Sequence, residues 1–244
     1  MSAIASSRST PLYQRYAPVR PRSEAKRTQI IEAAMQHFAQ HGYHAARVGD
    51  IAAVLDIAKG SIFQHFGSKD GLFFEVYKRA VQSFPKYLDA PAAVREAGFF
   101  EVLRYWLVRT EDLLQEDWIP YRIASLGNYG TDLVLKREIN RFLITEDPYG
   151  TVNFVRFGLE RRELRKDMDV ELIVSIVDWM MERFQGALLT ADFDPGLFRR
   201  SGELAEKKEA RIQQFLALLQ RATGSAAIGP AQNSRAAARG PRSR

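Results

Sequence analysis

The stretch VGDIAAVLDIAKGSIFQHF, from Val48 to Phe66, contains two short runs of helical periodicity separated by a break. The apolar residues of the first run recur at the i, i+3, i+4 and i+7 spacing of one helix face: Val48, Ile51, Ala52 and Leu55. Ile62 and Phe66 then form an i, i+4 pair in a second run that begins near Lys59. The pattern predicts two short helices joined by a tight turn, which is a helix-turn-helix.

The outward face of the second predicted helix carries side chains of the kinds that contact DNA. It presents a cation, a hydroxyl, an amide, an imidazole and an aromatic ring, on Lys59, Gly60, Ser61, Phe63, Gln64 and His65. Cations contact phosphates, and an amide such as that of Gln64 can bind adenine through two hydrogen bonds. We therefore interpret this helix as a recognition helix. A longer helix is predicted before the pair, from Ser23 to His41, with Ile30, Ala34 and Phe38 on one stripe. Packing of Phe63 against that helix is the alternative for its ring.

Motifs in and around this stretch resemble the N-terminal signature of the TetR family of bacterial transcriptional regulators. The resemblance is carried by Gly42-Tyr43, Asp50-Ile51-Ala52, Lys59-Gly60-Ser61-Ile62-Phe63, His65-Phe66, Ser68-Lys69 and Leu72-Phe73. It extends without gaps from about Thr28 to Tyr77. It implies an all-α homodimer with an N-terminal three-helix DNA-binding domain and a larger C-terminal helical domain, which binds a small-molecule effector and forms the dimer.

The resemblance also implies roles for individual DNA-binding residues. Lys59 and Lys69 are expected to contact phosphates, and Gly60 is expected to let the backbone approach the duplex. Four positions depart from the family pattern, where hydroxyl residues or glycine are usual: Ala46, Arg47, Asp56 and Ala58. Arg47 can replace a lost phosphate contact with a charged one, so it joins the expected DNA-binding set.

The net charge of the chain does not by itself indicate DNA binding. The 244-residue length predicts one large or two modest domains, and an apolar content of 46% is sufficient for a core. Residues 1–22 hold four arginines and no acid, and residues 221–244 hold five arginines and no acid. Removing these nine charges from the net charge of +6 leaves −3 on residues 23–220. The DNA-binding prediction therefore rests on where the cations lie, not on their number.

These patterns divide the chain into four predicted segments. Residues 1–22 are predicted to be a disordered basic arm, either a solubilising tail or a segment that orders on DNA. Residues 23–70 form the predicted helix-turn-helix domain, and residues 71–222 the predicted ligand-binding and dimerisation domain. Residues 223–244 are predicted to be a disordered basic tail.

Aromatic residues are concentrated in the middle of the chain. They are Trp106, Trp118, Tyr121, Tyr129, Phe142, Phe154 and Phe157. Such side chains can line a cavity for a bulky apolar effector. The alternative is that they fill the core.

Two C-terminal helices are predicted, over Val170–Leu189 and over about Gly202–Ala222. The first is apolar on nearly every side, which predicts burial on all sides. By resemblance, the two helices form the dimer interface through Ile176, Met180, Phe184, Ile212, Phe215 and Leu219. A dimer would space two recognition helices about one DNA turn or a multiple of it apart, on a near-palindromic operator.

The residues give little support for an enzyme, a metal site or a membrane protein. Cysteine is absent, no histidine follows His65, and the C-terminal region has no recognisable catalytic motif. His37 and His41 have the spacing of helical metal ligands, but no third ligand beyond His44 is evident, so no metal or cofactor is predicted. No apolar run reaches the roughly 18 residues of a membrane span, and the cytoplasm is the expected location.

Two other functional classes stay open at this point. A protein-binding adaptor that keeps the fold without specific DNA binding gains some support from Ala46 and Ala58, where capping hydroxyls are absent. An all-helical enzyme that uses the aromatic cavity is less favoured. The preferred hypothesis is a ligand-responsive transcriptional repressor.

Overall fold

The computed structural model describes residues 21–189 and 204–225, and every regular element within these ranges is a helix. In chain order the helices are α1 Pro21–Ala45, α2 Val48–Val54, α3 Lys59–Phe66, α4 Lys69–Val81, α5 Pro85–Leu88, α6 Ala92–Ala97, α7 Phe99–Tyr129, α8 Leu133–Glu146, α9 Thr151–Glu160, α10 Val170–Leu189 and α11 Leu204–Thr223. The predicted all-α fold is confirmed. The predicted arm over 1–22 and tail over 223–244 lie outside the described residues, except for 21–22 and 223–225.

Local sequence sets the turns of the helix-turn-helix. Gly42 has a φ of 75° and interrupts the helical backbone near the end of α1, as expected of a glycine at a helix end. Between α2 and α3, Asp56 has a φ of 51°, so it takes the left-handed conformation that aspartate tolerates. Ala58 precedes α3 without a side-chain cap, whereas the Ser68 Oγ accepts a hydrogen bond from the Gly71 N–H at 3.0 Å and caps α4.

A first hydrophobic cluster joins the helix-turn-helix to later helices. Ile30 and Phe38 of α1 pack with Ile62 of α3, as their spacing predicted. The same cluster includes Ile123 of α7 and Ile139 of α8. The packing is therefore continuous across residue 70, and a change in α7 can reach α4 and α3 through buried contacts.

Helix α7 contains a proline in its interior. It continues past Pro120 to Tyr129, with one non-helical residue at Asp117 (φ −146°, ψ 57°). The distortion precedes the proline because its ring removes a donor and crowds the preceding turn.

Gly127 lies where α7 meets α4, without space for a side chain. A Cβ at this position would lie 2.4 Å from two ring carbons of Tyr77, which is fully buried. We expect Gly127→Ala to lower the free energy of unfolding by about 1–3 kcal/mol, because the methyl group overpacks this contact. Thermal unfolding measures the change. Gly49→Ala is the matched control, since a Cβ there would meet no atom within 4 Å, and equal unfolding temperatures for the two variants would contradict the prediction.

A second hydrophobic cluster holds the C-terminal helices together. Phe99 and Leu103 of α7 pack with Ile173 and Val177 on the inner face of α10 and with Leu216 of α11. In the single chain α10 is not covered on all sides, because its outward face carries exposed apolar residues. Its full burial stays a prediction that requires a partner on that face. None of the described helices is long and apolar enough to cross a membrane.

Candidate functional site

Helix α3 places the predicted recognition residues on one exposed surface. Ile62 and Phe66 are buried, so the helix is fixed by its inner face. Lys59, Gly60 and Gln64 are exposed, and the remaining predicted residues of this helix, Ser61, Phe63 and His65, are half-buried. The structure therefore brings the predicted α3 residues together on the surface that the pattern indicated.

Arg27 of α1 holds the C-terminal end of α3 in place. Its guanidinium donates to the backbone oxygen of His65 at 3.2 Å and lies 4.6 Å from the ring centre of Phe66. It also pairs with Glu75 of α4 at 2.6 Å. One half-buried side chain thus links α1, α3 and α4, which the sequence patterns did not indicate because the three partners are distant in the chain.

The ring of Phe63 lies partly in the core and partly at the surface. The ring packs against the first hydrophobic cluster, and the Lys59 Nζ lies 5.6 Å from its centre. This cation–π contact directs the lysine along the outer face of α3. Phe63 therefore both anchors the helix, as the packing alternative proposed, and stays partly accessible.

Lys69 at the start of α4 is held by neighbouring groups. Its Nζ donates to the backbone oxygen of His44 at 3.1 Å and lies 4.9 Å from the ring centre of Tyr43. The Tyr43 hydroxyl in turn donates to the carboxylate of Asp70. Partial desolvation lowers the pKa of Lys69.

Arg47 is exposed and immediately precedes α2, three residues after His44 in the chain.

The environment of His65 favours its neutral form. Desolvation, followed by the positive charges of Lys26 and Arg27, lowers its pKa from the ordinary value of 6.5. A neutral imidazole has one donor and one acceptor nitrogen, so it can contact either kind of base edge.

Gly60 adjoins open space, because a Cβ added there would meet no atom within 4 Å.

A cavity of about 370 Å³ lies between α7, α8 and α10, with contributions from the segments around α5 and α9. Of the seven aromatic residues predicted to line a cavity, four do so: Trp106, Tyr121, Tyr129 and Phe154. The other three are not on its wall. Phe142 is buried against Phe74 and Tyr77 in the first cluster, Phe157 packs against the second cluster, and Trp118 is exposed.

The sequence patterns missed several cavity residues. Tyr149 lies in the connection between α8 and α9. Asn128 and Lys136 come from the junction of α7 and α8. Asp178 and Glu182 are one helical turn apart on α10. The i, i+4 spacing of these two carboxylates in a largely apolar helix was the sequence signal that could have indicated them as cavity residues.

Charged and polar side chains on the cavity wall contact one another and shift the pKa of its tyrosines. The Asn128 amide donates to Glu182, and the Lys136 ammonium donates to the Asn128 backbone oxygen. Desolvation and the charge of Glu182 raise the pKa of Tyr121 to about 12. Desolvation also raises the pKa of Tyr149, with Glu182 adding to the effect.

The predicted dimer residues fall into two groups. Ile176, Met180, Phe184 and Phe215 are half-buried, and the rings of Phe184 and Phe215 stack with centres 4.1 Å apart. Ile212 and Leu219 are fully buried in the second cluster, so they cannot contact a partner subunit in this packing. Their assignment to the interface is wrong, because a helical period alone does not show which apolar stripe faces the chain's own core.

The outward faces of α10 and α11 carry apolar residues that the sequence patterns did not assign to an interface. Leu172 and Trp179 of α10 are 46% and 61% exposed, and Leu218 of α11 is 56% exposed. Large exposed apolar side chains that form a contiguous patch are typical of protein–protein contact surfaces.

Comparisons with known proteins agree with this geometry. The family model for bacterial regulatory proteins of the tetR family matches residues 30–76. The HTH-type transcriptional repressor AcnR of Corynebacterium glutamicum is 27% identical over 171 residues, which cover 70% of this chain and 86% of that protein. The fatty acid metabolism regulator protein of Bacillus subtilis is 26% identical over 151 residues, which cover 60% and 75%.

A solved structure shows the same fold. The putative tetR family transcription regulator from Shewanella sp. PV-4 matches 82% of this chain and 99% of its own, with a TM-score of 0.56 and 18% identity. The family model covers the helix-turn-helix, and the relative and the solved structure extend the match into the C-terminal helices. Residues 30–76 therefore match the DNA-binding domain of the TetR family, and the similarities together support a TetR-family transcriptional regulator.

Proposed function

We propose that this regulator is a homodimeric repressor that a small-molecule effector releases from a near-palindromic operator. The observation that carries the proposal is the short packing path from the cavity to the recognition helix. Ala124 of α7 belongs both to the cavity wall and to the first hydrophobic cluster. Gly127, one turn further along α7, lies against Tyr77 of α4. Helix α4 is linked to α3 through Glu75 and its partner Arg27.

The mechanism is a difference in effector affinity between two conformations. An effector that binds better when α7 presses on α4 favours a conformation in which the two recognition helices are wrongly spaced for the operator. Bound effector then lowers the affinity for DNA, and bound DNA lowers the affinity for the effector by the same factor. AcnR, which is 27% identical over 70% of this chain, is named a repressor, and this supports repression as the direction of control.

The exposed apolar residues of α10 and α11 support the proposed dimer, and the dimer implies the operator symmetry. Two copies that bury Leu172, Trp179 and Leu218 against each other would remove exposed apolar area from water. Two recognition helices related by the dimer axis then read inverted half-sites about one helical turn or a multiple of it apart. A regulator of bacterial operators acts in the cytoplasm, where that DNA lies.

Selection from a random duplex library tests the function. The purified full chain, at about physiological salt, is expected to enrich an inverted repeat, and affinity for the enriched duplex is then measured against salt concentration. Binding that is weak and indifferent to sequence would sink the proposal and favour the adaptor alternative.

Gly60→Ala tests whether α3 faces the duplex. The added methyl group meets no protein atom within 4 Å, so the unfolding temperature is expected to stay unchanged or rise slightly. Affinity for the selected operator is expected to fall about tenfold, because the methyl group would hold the backbone away from the DNA. Fluorescence anisotropy of labelled operator measures the loss. An unchanged affinity would show that Gly60 does not approach the duplex.

A further inference from the structure

We propose that the effector is an amphipathic organic cation, an amine or quaternary ammonium on an apolar body, whose positive charge lies beside Asp178 and Glu182. The inference rests on the proposed function in taking this cavity as the effector site. It adds the chemical class of the ligand, which is argued from the charges and rings of the cavity wall.

The cations on the cavity wall already have protein partners. The Arg109 guanidinium donates to the Tyr105 hydroxyl at 3.5 Å through Nη1, and its Nε lies 3.3 Å from a carboxylate oxygen of Asp112 without a hydrogen bond. The Lys136 ammonium donates to the Asn128 backbone oxygen. The Arg183 guanidinium lies 5.3 Å from the ring centre of Tyr129. A ligand anion would have to compete with these contacts for each positive charge.

The carboxylates are less well compensated. Glu182 accepts a hydrogen bond from the neutral amide of Asn128. The Asp178 carboxylate makes no side-chain hydrogen bond or ion pair with any other residue that the structure describes. Asp178 lines the cavity and is also exposed to solvent, and partial desolvation together with the like charges of Glu182 and Asp147 raises its pKa to about 6. A ligand cation would relieve this accumulation of negative charge.

Aromatic rings complete the arrangement. Trp106, Tyr121 and Tyr149 line the same cavity, and the indole of Trp106 is fixed by a 2.8 Å hydrogen bond from its Nε1 to the backbone oxygen of Leu88. Electron-rich ring faces beside carboxylates are the environment in which proteins bind quaternary ammonium groups. The apolar remainder of the ligand would lie among Phe84, Leu103, Phe154 and Met181.

Three probes that share a naphthalene ring test the charge preference. They are (2-naphthylmethyl)trimethylammonium, 2-naphthylmethanol and 2-naphthoate, each titrated into the full chain by calorimetry. We expect the cation to bind about tenfold or more tightly than the alcohol, with the carboxylate weakest. Asp178→Asn and Glu182→Gln are each expected to reduce the preference for the cation severalfold and to leave binding of the alcohol unchanged.

Glu138→Gln is the matched control, because Glu138 lies outside the cavity wall and pairs with Arg141 at 3.1 Å. It is expected to retain the full preference for the cation. The inference is overturned if 2-naphthoate binds most tightly, if the alcohol equals the cation, if neither cavity variant changes the preference, or if no probe binds.

A separate measurement distinguishes this inference from the proposed function. Each probe is also added to the complex of the full chain with its selected operator. A cation that binds the cavity without changing operator affinity would support the ligand class and contradict the proposed ligand response. Release of the operator by 2-naphthoate alone would support the ligand response and overturn the cation inference.

Discussion

A variant that carries both Leu172→Glu and Leu218→Glu is expected to be monomeric and to bind the selected operator about 100-fold more weakly or worse. Each substitution places a carboxylate in what would be an apolar interface, and a buried unpaired charge is costly. Loss of the dimer separates the two recognition helices, so each must bind its half-site independently. Sedimentation equilibrium gives the mass, and fluorescence anisotropy gives the DNA affinity.

Ile144→Glu is the control for adding a charge to an exposed apolar position. Ile144 lies on α8 and is 82% exposed, and it is not among the residues of the proposed interface. This variant is expected to keep the mass and operator affinity of the unmodified chain. A double variant that remained dimeric would refute the assignment of α10 and α11 to the interface, whatever its DNA affinity.

The second large effect is expected from Lys59→Ala combined with Gln64→Ala. The double variant should lose about 100-fold or more in operator affinity, because a dimer presents each side chain twice and a specific base contact alone is worth about 1–3 kcal/mol. Both residues are exposed on α3 and lie outside the hydrophobic clusters, so the unfolding temperature should be nearly unchanged.

Salt dependence separates the two contributions. Lys59→Ala alone should lower the slope of log affinity against log salt by about two units, since two phosphate contacts are lost per dimer. Gln64→Ala alone should leave that slope unchanged and relax the sequence preference of each half-site. Arg137→Ala, which removes an exposed cation from α8, is the charge control and should do neither. Retention of full operator affinity by the double variant would exclude α3 as the recognition helix.

Much of the helix-turn-helix was predictable because its determinants are local. The spacing of Ile62 and Phe66 fixes the inner face of α3, and the remaining positions must then face outward. Asp56 adopts the left-handed conformation that its residue type allows. In contrast, no pattern within α1 indicated that Arg27 would reach both His65 and Glu75, because that contact joins three helices far apart in the chain.

The cavity shows where local patterns are insufficient. Aromatic richness predicted a cavity in the right part of the chain, yet Phe142 lies in the core and Trp118 lies on the surface. An aromatic ring satisfies the same hydrophobic period in either place, so composition cannot separate core from cavity wall. Asp178 and Glu182 acquire their importance only because α10 turns them towards rings from α7 and from the connection before α9.

The sequence by itself determined the all-α class, the helix-turn-helix and the outward residues of α3, because these depend on periodicity and turn chemistry over a few residues. Only the tertiary structure decided that Ile212 and Leu219 face the chain's own core and that Leu172, Trp179 and Leu218 face outward. It also decided which charges share the cavity. An apolar stripe specifies that a helix must be covered, but the covering surface is set by how distant helices pack.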